Sequence, residues 1–389
     1  MAWKTVRADE FCSFVTDGTH DSPKPQSQGR KLITSKHLKG DHIDFDSANW
    51  ISECDYQKII ARSAVEQWDI LFSMIGTIGT IYLEKSPIVE YACKNMGVFK
   101  FAGNAENAFW MYYYLKSPQA KEYIQSHLRG STQAYVPLGS LREMPVSIPD
   151  RETRNRIVSL LKPLDEKIAI NRAINDNLEQ QAFSAFDNLI ANAENNDYTV
   201  SDYAFLNPKR TLAKNQVARS IDMSQLSTSG AFPSGWEMKP FNGGMRFTNG
   251  DTLLARITPC LENGKTAFID FLDDGEVAFG STEYIVLAPK NDTPPEMLYC
   301  LARYPAFVDY AVKNMNGSSG RQRVSAETVG QYRLPLFDKH SLVLFKEVVS
   351  PMFLKMRYNS LENMRLAELR DALLPKLMSG ELDVSAVEL

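Results

Sequence analysis

The chain has 389 residues, of which 44% are hydrophobic, and its 43 Lys and Arg are outnumbered by 47 Asp and Glu. This length predicts more than one domain, and the composition excludes a disordered chain. The longest apolar stretch is too short to cross a bilayer, the N-terminus lacks an apolar signal core, and the five cysteines form no CxxC pair. We therefore expect a reduced cytoplasmic protein with no membrane segment and no metal site.

Residues 1–150 have the pattern of a mixed α/β domain. Short apolar runs such as "DILFSMI" from Asp69 and "MGVFKFA" from Met96 predict strands. The apolar spacing of "NAFWMYYYLKSPQAKEYIQSHL" from Asn107 predicts a helix, and a polar loop beginning at Gly130 follows it.

Residues 151–194 predict a long helix. Their apolar positions alternate between spacings of three and four, a mean period typical of a coiled-coil seam. We expect about 35 helical residues, or roughly 50 Å, with a kink or a delayed start at Pro163. The seam consists of Ile157, Leu161, Leu164, Ile168, Asn171, Asn175, Leu178, Ala182, Ala185 and Leu189.

The same plan then repeats. Asn171 and Asn359 are 188 positions apart, as are Asn175 and Asn363, and Pro163 and Pro351. Residues 195–338 predict a second α/β domain, with strand-like "DTLLARI" and "EYIVLAP", a helical stretch and a loop from Gly317. Residues 339–389 predict a second long helix and a tail. Its seam is Phe345, Val349, Met352, Met356, Asn359, Asn363, Leu366, Arg370, Leu373 and Leu377, interrupted badly only by Arg370.

The sequence thus predicts two similar α/β domains joined by two long helices that form an antiparallel coiled coil with pseudo-twofold symmetry. A buried seam asparagine lowers stability but disfavours registers in which it would have no partner. We interpret the two asparagine pairs as such register-setting positions; the alternative is that they face solvent on ordinary helices.

At this level the chain resembles the specificity subunits of type I restriction-modification enzymes. The resemblance covers nearly the whole chain and rests on the duplication, on "VTDGTHDSP" from Val15, on "DILFSMIGTIG", on the two glycine loops and on the tail "LRDALLPKLMSGEL" from Leu369. It implies two target-recognition domains, each reading one half of a bipartite, asymmetric site in double-stranded DNA.

The resemblance also implies partners. The paired helices would act as a spacer and dock two methyltransferase (modification) subunits, and restriction/translocase subunits would join that core. The chain itself would be non-catalytic and without a cofactor, because S-adenosylmethionine, ATP and Mg²⁺ would be bound by the partner subunits.

DNA binding requires cations for phosphates and forked donors and acceptors for base edges. In the first domain the candidates are Thr19, His20, Lys24, Arg30, Lys31, Ser35, Lys36, Arg129, Ser131, Thr132 and Gln133. In the second they are Lys209, Arg210, Lys214, Arg219, Arg256, Lys265, Ser318, Ser319, Arg321, Gln322 and Arg323. Because "GSSGRQR" is far more basic than "GSTQAY", the two domains should read different sequences.

Two other functions remain open from the residues alone. Pro149-Asp150 followed by Asp165-Glu166-Lys167 formally matches a nuclease signature, although the latter group falls on the seam-bearing helix, where a solvated face is the simpler interpretation. The chain could instead be a scaffold that binds only proteins. Gly264-Lys265-Thr266 lacks the glycine that a phosphate-binding loop requires five residues earlier, and we find no complete catalytic set.

Overall fold

The computed structural model describes residues 3–40, 42–193, 197–318 and 320–385. The candidate Ser319 lies outside these described residues. The chain divides into two compact units: unit 1 comprises Met1–Glu166 and Glu368–Leu389, and unit 2 comprises Lys167–Ala367. Two long helices, α6 (Arg151–Ala191) and α11 (Lys339–Ser379), contribute residues to both units.

Unit 1 is built on two sheets and a short β-ribbon. Its strands are β1 (Lys4–Arg7), β2 (Phe14–Asp17), β3 (Arg30–Ile33), β4 (Asn49–Ile51), β5 (Ile70–Ser73), β6 (Ile81–Leu83), β7 (Tyr91–Cys93), β8 (Met96–Lys100) and β9 (Pro145–Ile148). Its shorter helices are α1 (Ala8–Phe11), α2 (Glu53–Ser63), α3 (Ala105–Lys116), α4 (Pro118–Ser126) and α5 (Leu138–Glu143), with a 3-10 helix at Ser35–His37. The sheet orders are β2-β8-β5-β6 and β4-β3-β7, and β1 pairs with β9.

Unit 2 repeats this plan. Its strands are β10 (Tyr198–Thr199), β11 (Ala204–Leu206), β12 (Val217–Ile221), β13 (Glu237–Pro240), β14 (Met245–Phe247), β15 (Thr252–Ala255), β16 (Thr266–Phe268), β17 (Ala278–Gly280), β18 (Tyr284–Pro289) and β19 (Arg333–Leu334). Its shorter helices are α7 (Val200–Tyr203), α8 (Pro295–Arg303), α9 (Pro305–Lys313) and α10 (Ala326–Gly330). The order β11-β18-β15-β16 matches β2-β8-β5-β6 strand for strand, which confirms the predicted duplication of a mixed α/β fold.

Each long helix begins at an aspartate. The Asp150 carboxylate accepts hydrogen bonds from the backbone N–H of Thr153 at 2.9 Å and from its hydroxyl at 2.7 Å. Asp338 makes the same pair of contacts with Ser341, at 3.0 and 2.6 Å. These carboxylates cap the first turn, where the backbone N–H groups have no partner inside the helix.

Some local predictions about the helices need correction. The long helices have 41 residues each, where about 35 were expected, and neither helix starts late at Pro163 or Pro351. The expected kink at these prolines stays a prediction. Both prolines are exposed, and each leaves the carbonyl four residues earlier without its helical hydrogen bond. The single helix expected from Asn107 is divided at Pro118 into α3 and α4. The ring of Pro118 disfavours helical backbone angles at the preceding residue, Ser117, which is extended.

The long helices form part of the core in each unit. In unit 1, Ile157 and Leu161 of α6 are buried in one apolar cluster with Leu374 and Leu377 of α11. In unit 2, Phe186 and Leu189 of α6 share a buried cluster with residues of α11, namely Phe345, Val349, Phe353 and Met356. One helix therefore runs opposite to the other in each unit, which confirms the predicted antiparallel pairing.

The seam expected from the sequence is only part of the buried surface. Leu161, Ile168 and Met356 are buried, whereas the apolar seam positions Leu164, Leu178, Met352 and Leu366 are half-buried. Phe353 was not assigned to the seam, yet it is 1% exposed and packs against the rings of Phe268 and Tyr299 at 5.2 and 5.5 Å. In unit 2, α11 therefore also packs against the α/β part of the unit through Phe353, and a single heptad seam does not describe this contact.

Candidate nucleic-acid interface

Each unit presents a closed glycine loop of the same construction. In unit 1, Arg129 and Tyr135 exchange two backbone hydrogen bonds of 2.9 Å, which closes the loop that contains Gly130. In unit 2, Asn316 and Arg323 exchange the same two bonds, also at 2.9 Å, around Gly317. Gly130 has a φ of +92° and a Cβ there would lie 2.3 Å from the Gln133 carbonyl oxygen, so the turn requires glycine.

Both loops are attached to the end of the corresponding central strand. The N–H of Val136 donates to the Met74 carbonyl at 2.9 Å, just beyond β5, and the N–H of Val324 donates to the Arg256 carbonyl at 3.0 Å, just beyond β15. The loop is therefore held by the sheet, and its side chains are free to differ between the units. In unit 1 the loop candidates Arg129, Ser131, Thr132 and Gln133 are all exposed.

His20 belongs to a chain of polar contacts in unit 1. Its ring nitrogens lie 2.9 Å from the Asn95 side-chain oxygen and 2.8 Å from an Asp17 carboxylate oxygen. Arg62 donates to the other Asp17 oxygen at 2.8 Å and also to the carbonyls of Asp17 and Gly18. Both ring nitrogens of the exposed His20 are thus held by protein, so it presents a fixed ring face to solvent.

Four other candidates of unit 1 fall into two groups. Lys24 and Lys36 are exposed and remain suitable for phosphate contacts. Thr19 and Ser35 are each 8% exposed, and the Thr19 hydroxyl accepts a hydrogen bond from the Asp21 N–H. We leave these two buried hydroxyls out of the interface.

Two further cations of unit 1 are engaged within the protein. Arg30 pairs with Glu53 at 3.1 Å and with Glu90, and it stacks over the Tyr56 ring. Lys31 donates to the Ala48 carbonyl at 2.9 Å, with its ammonium 4.0 Å from the centre of the Trp50 ring. Both cations are thus held by contacts within the protein.

In unit 2, several predicted cations stabilise the fold. Arg210 is paired at 2.7 Å with Asp251, which is 1% exposed; burial raises the pKa of Asp251 to about 6, against the opposing effect of Arg210. Arg219 pairs with Glu276 and Asp273. We therefore leave both arginines out of the interface.

Lys265 is similarly occupied, because its ammonium donates to the Met223 carbonyl at 2.8 Å. Lys209, Lys214 and Ser318 are exposed and stay in the proposed interface. Gln322 is half-buried, and its backbone exchanges hydrogen bonds with Thr258, its N–H donating to the hydroxyl at 3.2 Å. This contact fixes the base of the Gly317 loop.

A carboxylate that the sequence analysis did not single out lies beside two of the unit 2 candidates, Arg256 and Arg323. Glu283 accepts hydrogen bonds from Nε of Arg323 at 2.9 Å and from Nη2 at 2.7 Å, and the Arg256 Nε lies 4.0 Å away. The spacing of 188 relates Glu283 to Asn95 and Arg323 to Tyr135. Alignment of the two repeats could therefore have identified these four positions as a set.

The four seam asparagines meet in unit 2. The Asn171 amide donates to the Asn363 side-chain oxygen at 2.9 Å, and the Asn359 amide donates to the Asn175 oxygen at 2.8 Å. Applying the 188-residue offset to the first pair gives the second pair, so the set is symmetric under the internal repeat. Asn171 and Asn359 are 0% and 1% exposed, which places them inside the helix pair and not on a solvent face.

Replacing one asparagine of a hydrogen-bonded pair should lower the free energy of unfolding more than replacing both. Asn175→Leu leaves the buried Asn359 amide without its side-chain partner, and we expect the free energy of unfolding to fall by about 1–3 kcal/mol. Asn175→Leu combined with Asn359→Leu should be near neutral or stabilising, while allowing other registers and oligomers. Urea unfolding and light scattering check these outcomes. Strictly additive losses in the double variant would contradict a paired role.

The carboxylates of the possible nuclease signature have other partners. Asp150 caps α6, and Asp165 pairs with Arg370 at 2.7 Å and with Lys116 at 3.2 Å. Asp165 is thus part of a half-buried ionic cluster in unit 1, which corrects the expectation of a solvated face there. Lys167, in unit 2, lies 3.4 Å from Glu362.

Among the described residues, no three His, Cys, Asp or Glu side chains are grouped to hold a metal ion, and no helix combines the length and apolarity needed to cross a membrane.

Comparison with known proteins agrees with this architecture. A family model described as the type I restriction modification DNA specificity domain matches residues 2–180. The type I restriction enzyme HindI specificity subunit of Haemophilus influenzae is 23% identical, over 83% of this chain and 88% of that protein. The MjaIX specificity subunit of Methanocaldococcus jannaschii is 22% identical, over 81% of this chain and 78% of that protein. The crystal structure of a type I restriction-modification S subunit from M. genitalium has the same fold, with a TM-score of 0.53 and 17% identity over 96% of each chain. Over most of its length the chain is thus similar to type I restriction-modification specificity subunits, and its residues 2–180 match the DNA specificity domain of that family.

Proposed function

We propose that this chain is the DNA-recognition and assembly subunit of a type I restriction-modification complex, and that each unit reads one half of a bipartite, asymmetric DNA site. The observation that carries the proposal is the glycine loop: both units close it with the same two backbone hydrogen bonds and attach it to the same strand, yet its side chains differ. Two units with the same loop backbone but different polar side chains are suited to bind different DNA sequences.

Charge distribution is consistent with DNA contact at selected places. The chain carries a net charge of −4, so general attraction to phosphates is not expected. The exposed cations that are not engaged in the contacts described above, such as Lys24, Lys36, Arg129, Lys214 and Arg321, would supply local phosphate contacts. Additional positive surface would come from partner subunits.

The long helices would provide the assembly surface. In unit 2, Leu344 and Val348 of α11 are 48% and 52% exposed, and they line a groove of about 750 Å³ with residues of α6 such as Ala185. Exposed apolar surface on a helix is typical of a protein interface. We propose that two methyltransferase subunits dock on the helices and that restriction subunits join through them. S-adenosylmethionine, ATP and Mg²⁺ would then be bound by those partners.

Reconstitution tests this division of labour. The purified chain should bind duplex DNA in a salt-dependent manner, with the logarithm of affinity falling linearly with the logarithm of salt concentration. It should transfer no methyl group when given S-adenosylmethionine, and co-purified methyltransferase should restore the activity. Methylation by the chain alone would overturn the proposal.

The same preparation separates the alternatives. Cleavage of plasmid DNA by the pure chain with Mg²⁺ would favour the stand-alone nuclease. Retention of partner binding without any duplex binding, by the chain or by its complex, would favour the protein scaffold. The matched control is the methyltransferase without this chain, which should not methylate specific sites.

A further inference from the structure

The two arginines of the Gly317 loop have different surroundings. Arg321 is exposed, and within the described residues its guanidinium makes no ion pair. Arg323, two residues later, is 39% exposed and is held on one side by Glu283. The first is an exposed cation and the second is one held in place by a carboxylate, so they are suited to different parts of DNA.

Counting donors shows what Arg323 still offers. Its Nε and Nη2 donate to Glu283, and its Nη1 donates to the Arg321 carbonyl at 3.1 Å. A guanidinium has five N–H groups, so one remains on each of the two terminal nitrogens. One N–H on each terminal nitrogen is a donor pair that can match the O6 and N7 acceptors that guanine presents in the major groove.

Electrostatics favour a base over a phosphate as the target of Arg323. The hydrogen bond from Arg323, together with its positive charge and that of Arg256, lowers the pKa of Glu283, so this carboxyl is ionised at neutral pH. The carboxylate cancels the charge of Arg323 and would repel a phosphate placed beside it. It also fixes the guanidinium plane before DNA arrives, which reduces the entropy lost on forming a forked contact.

The equivalent positions of unit 1 lack this group. The backbone N–H of Val136 donates to the Met74 carbonyl, as that of Val324 donates to the Arg256 carbonyl, so Met74 corresponds to Arg256. Tyr135 closes the loop of unit 1 as Arg323 closes the loop of unit 2, so these two residues also correspond. Strand pairing places Ser73 opposite Met96 and Ala255 opposite Tyr284, so Asn95 corresponds to Glu283. Met74, Asn95 and Tyr135 thus replace a charged cluster, and unit 1 cannot present the same forked donor.

We propose that Arg323, positioned by Glu283, reads a guanine in the half-site bound by unit 2, whereas Arg321 contacts a phosphate. The inference rests on the proposed DNA-recognition function and names the residues that carry part of its specificity. Unit 1 makes no such contact at the corresponding position.

The test uses the complete complex with its modification subunits. Methylated sites are mapped by sequencing in cells that carry the wild-type or a variant chain, and affinities are measured on the mapped site and on versions with one altered base pair. For Arg323→Lys we expect discrimination at one G·C pair to fall about 5- to 100-fold, with every other position of the site retained. Glu283→Gln should relax the same pair to a smaller extent, because its neutral amide holds the guanidinium less firmly.

Arg321→Ala is the matched control in the same loop. It should weaken binding to all duplexes alike and reduce the salt slope by about one, without altering the mapped site. Tyr135→Ala, at the corresponding position of unit 1, should leave the G·C pair read by Arg323 unchanged.

Several results would overturn the inference. The first is a folded, active Arg323→Lys complex that recognises the unaltered site. The second is a loss of discrimination at an A·T pair, and the third is a loss at different base pairs in Arg323→Lys and Glu283→Gln. Should Arg323→Lys fail to assemble, the Glu283→Gln result decides alone. A wild-type complex that methylates no defined bipartite site would instead refute the proposed function, so the two failures can be told apart.

Discussion

Replacing Arg370 with alanine should lower the free energy of unfolding by about 1–3 kcal/mol, which is less than the loss of about 3–5 kcal/mol for a buried charge left with no partner, because Lys116 still pairs with Asp165. The side chains of Arg370 and Asp165 are 19% and 17% exposed and lie 2.7 Å apart. Lys116 of α3 pairs with the same carboxylate at 3.2 Å. Removal of Arg370 leaves Asp165 with one cation in a poorly solvated position. Urea unfolding of the wild-type and variant chains measures the loss.

The difference should depend on pH. Burial alone would raise the pKa of Asp165, but Lys116 and Arg370 outweigh this effect and hold it below its usual value. A carboxyl whose pKa is lowered by folding contributes stability at neutral pH, and the contribution disappears as pH falls through the lowered pKa. The gap between wild type and Arg370→Ala should therefore close in acid.

Arg365→Ala is the control for the loss of one positive charge from the same helix. Arg365 is exposed, and its replacement should change the free energy of unfolding by less than about 0.5 kcal/mol. Equal losses for the two variants, or a gap for Arg370→Ala that is constant with pH, would show that the cluster does not stabilise unit 1 in this way.

Lengthening the paired helices should lengthen the gap between the two half-sites. The asparagine contacts show that Asn175 lies opposite Asn359, so one heptad inserted directly after Asn175 requires another directly before Asn359. The pair of insertions keeps the remaining contacts in register and adds about 10 Å of helix. Since B-DNA rises about 3.4 Å per base pair, the same half-sites should be read with a gap longer by up to about three pairs.

Sequencing of methylated sites in cells with the complete system measures this gap. The matched control inserts a heptad after Asn175 alone, which displaces part of α6 along α11 and should impair assembly. A folded, active double-insertion complex with the wild-type gap would show that the helices do not set the spacing.

The sequence by itself determined the duplication, the α/β class and the antiparallel pairing of the long helices. These features appear as patterns that are visible in a short stretch of sequence or by comparing positions 188 residues apart. They are a 3.5-residue period, the asparagines 188 positions apart, and a glycine loop after each helical stretch. The asparagine pairing in particular followed from the repeat, because a pseudo-twofold arrangement makes Asn171 meet Asn363 whenever Asn175 meets Asn359.

Only the tertiary structure decided which charged side chains are free. Arg210 and Arg321 look alike in the sequence, but the first neutralises the buried Asp251, whose position 41 residues away is fixed by the sheet. Arg370 looked like an interruption of the predicted seam, because its partner Asp165 is 205 residues away and cannot be recognised from the local sequence. Glu283 gained its importance from a contact with Arg323 across 40 residues. An ion pair depends on burial and on neighbours brought together by the whole fold, and no local periodicity encodes either.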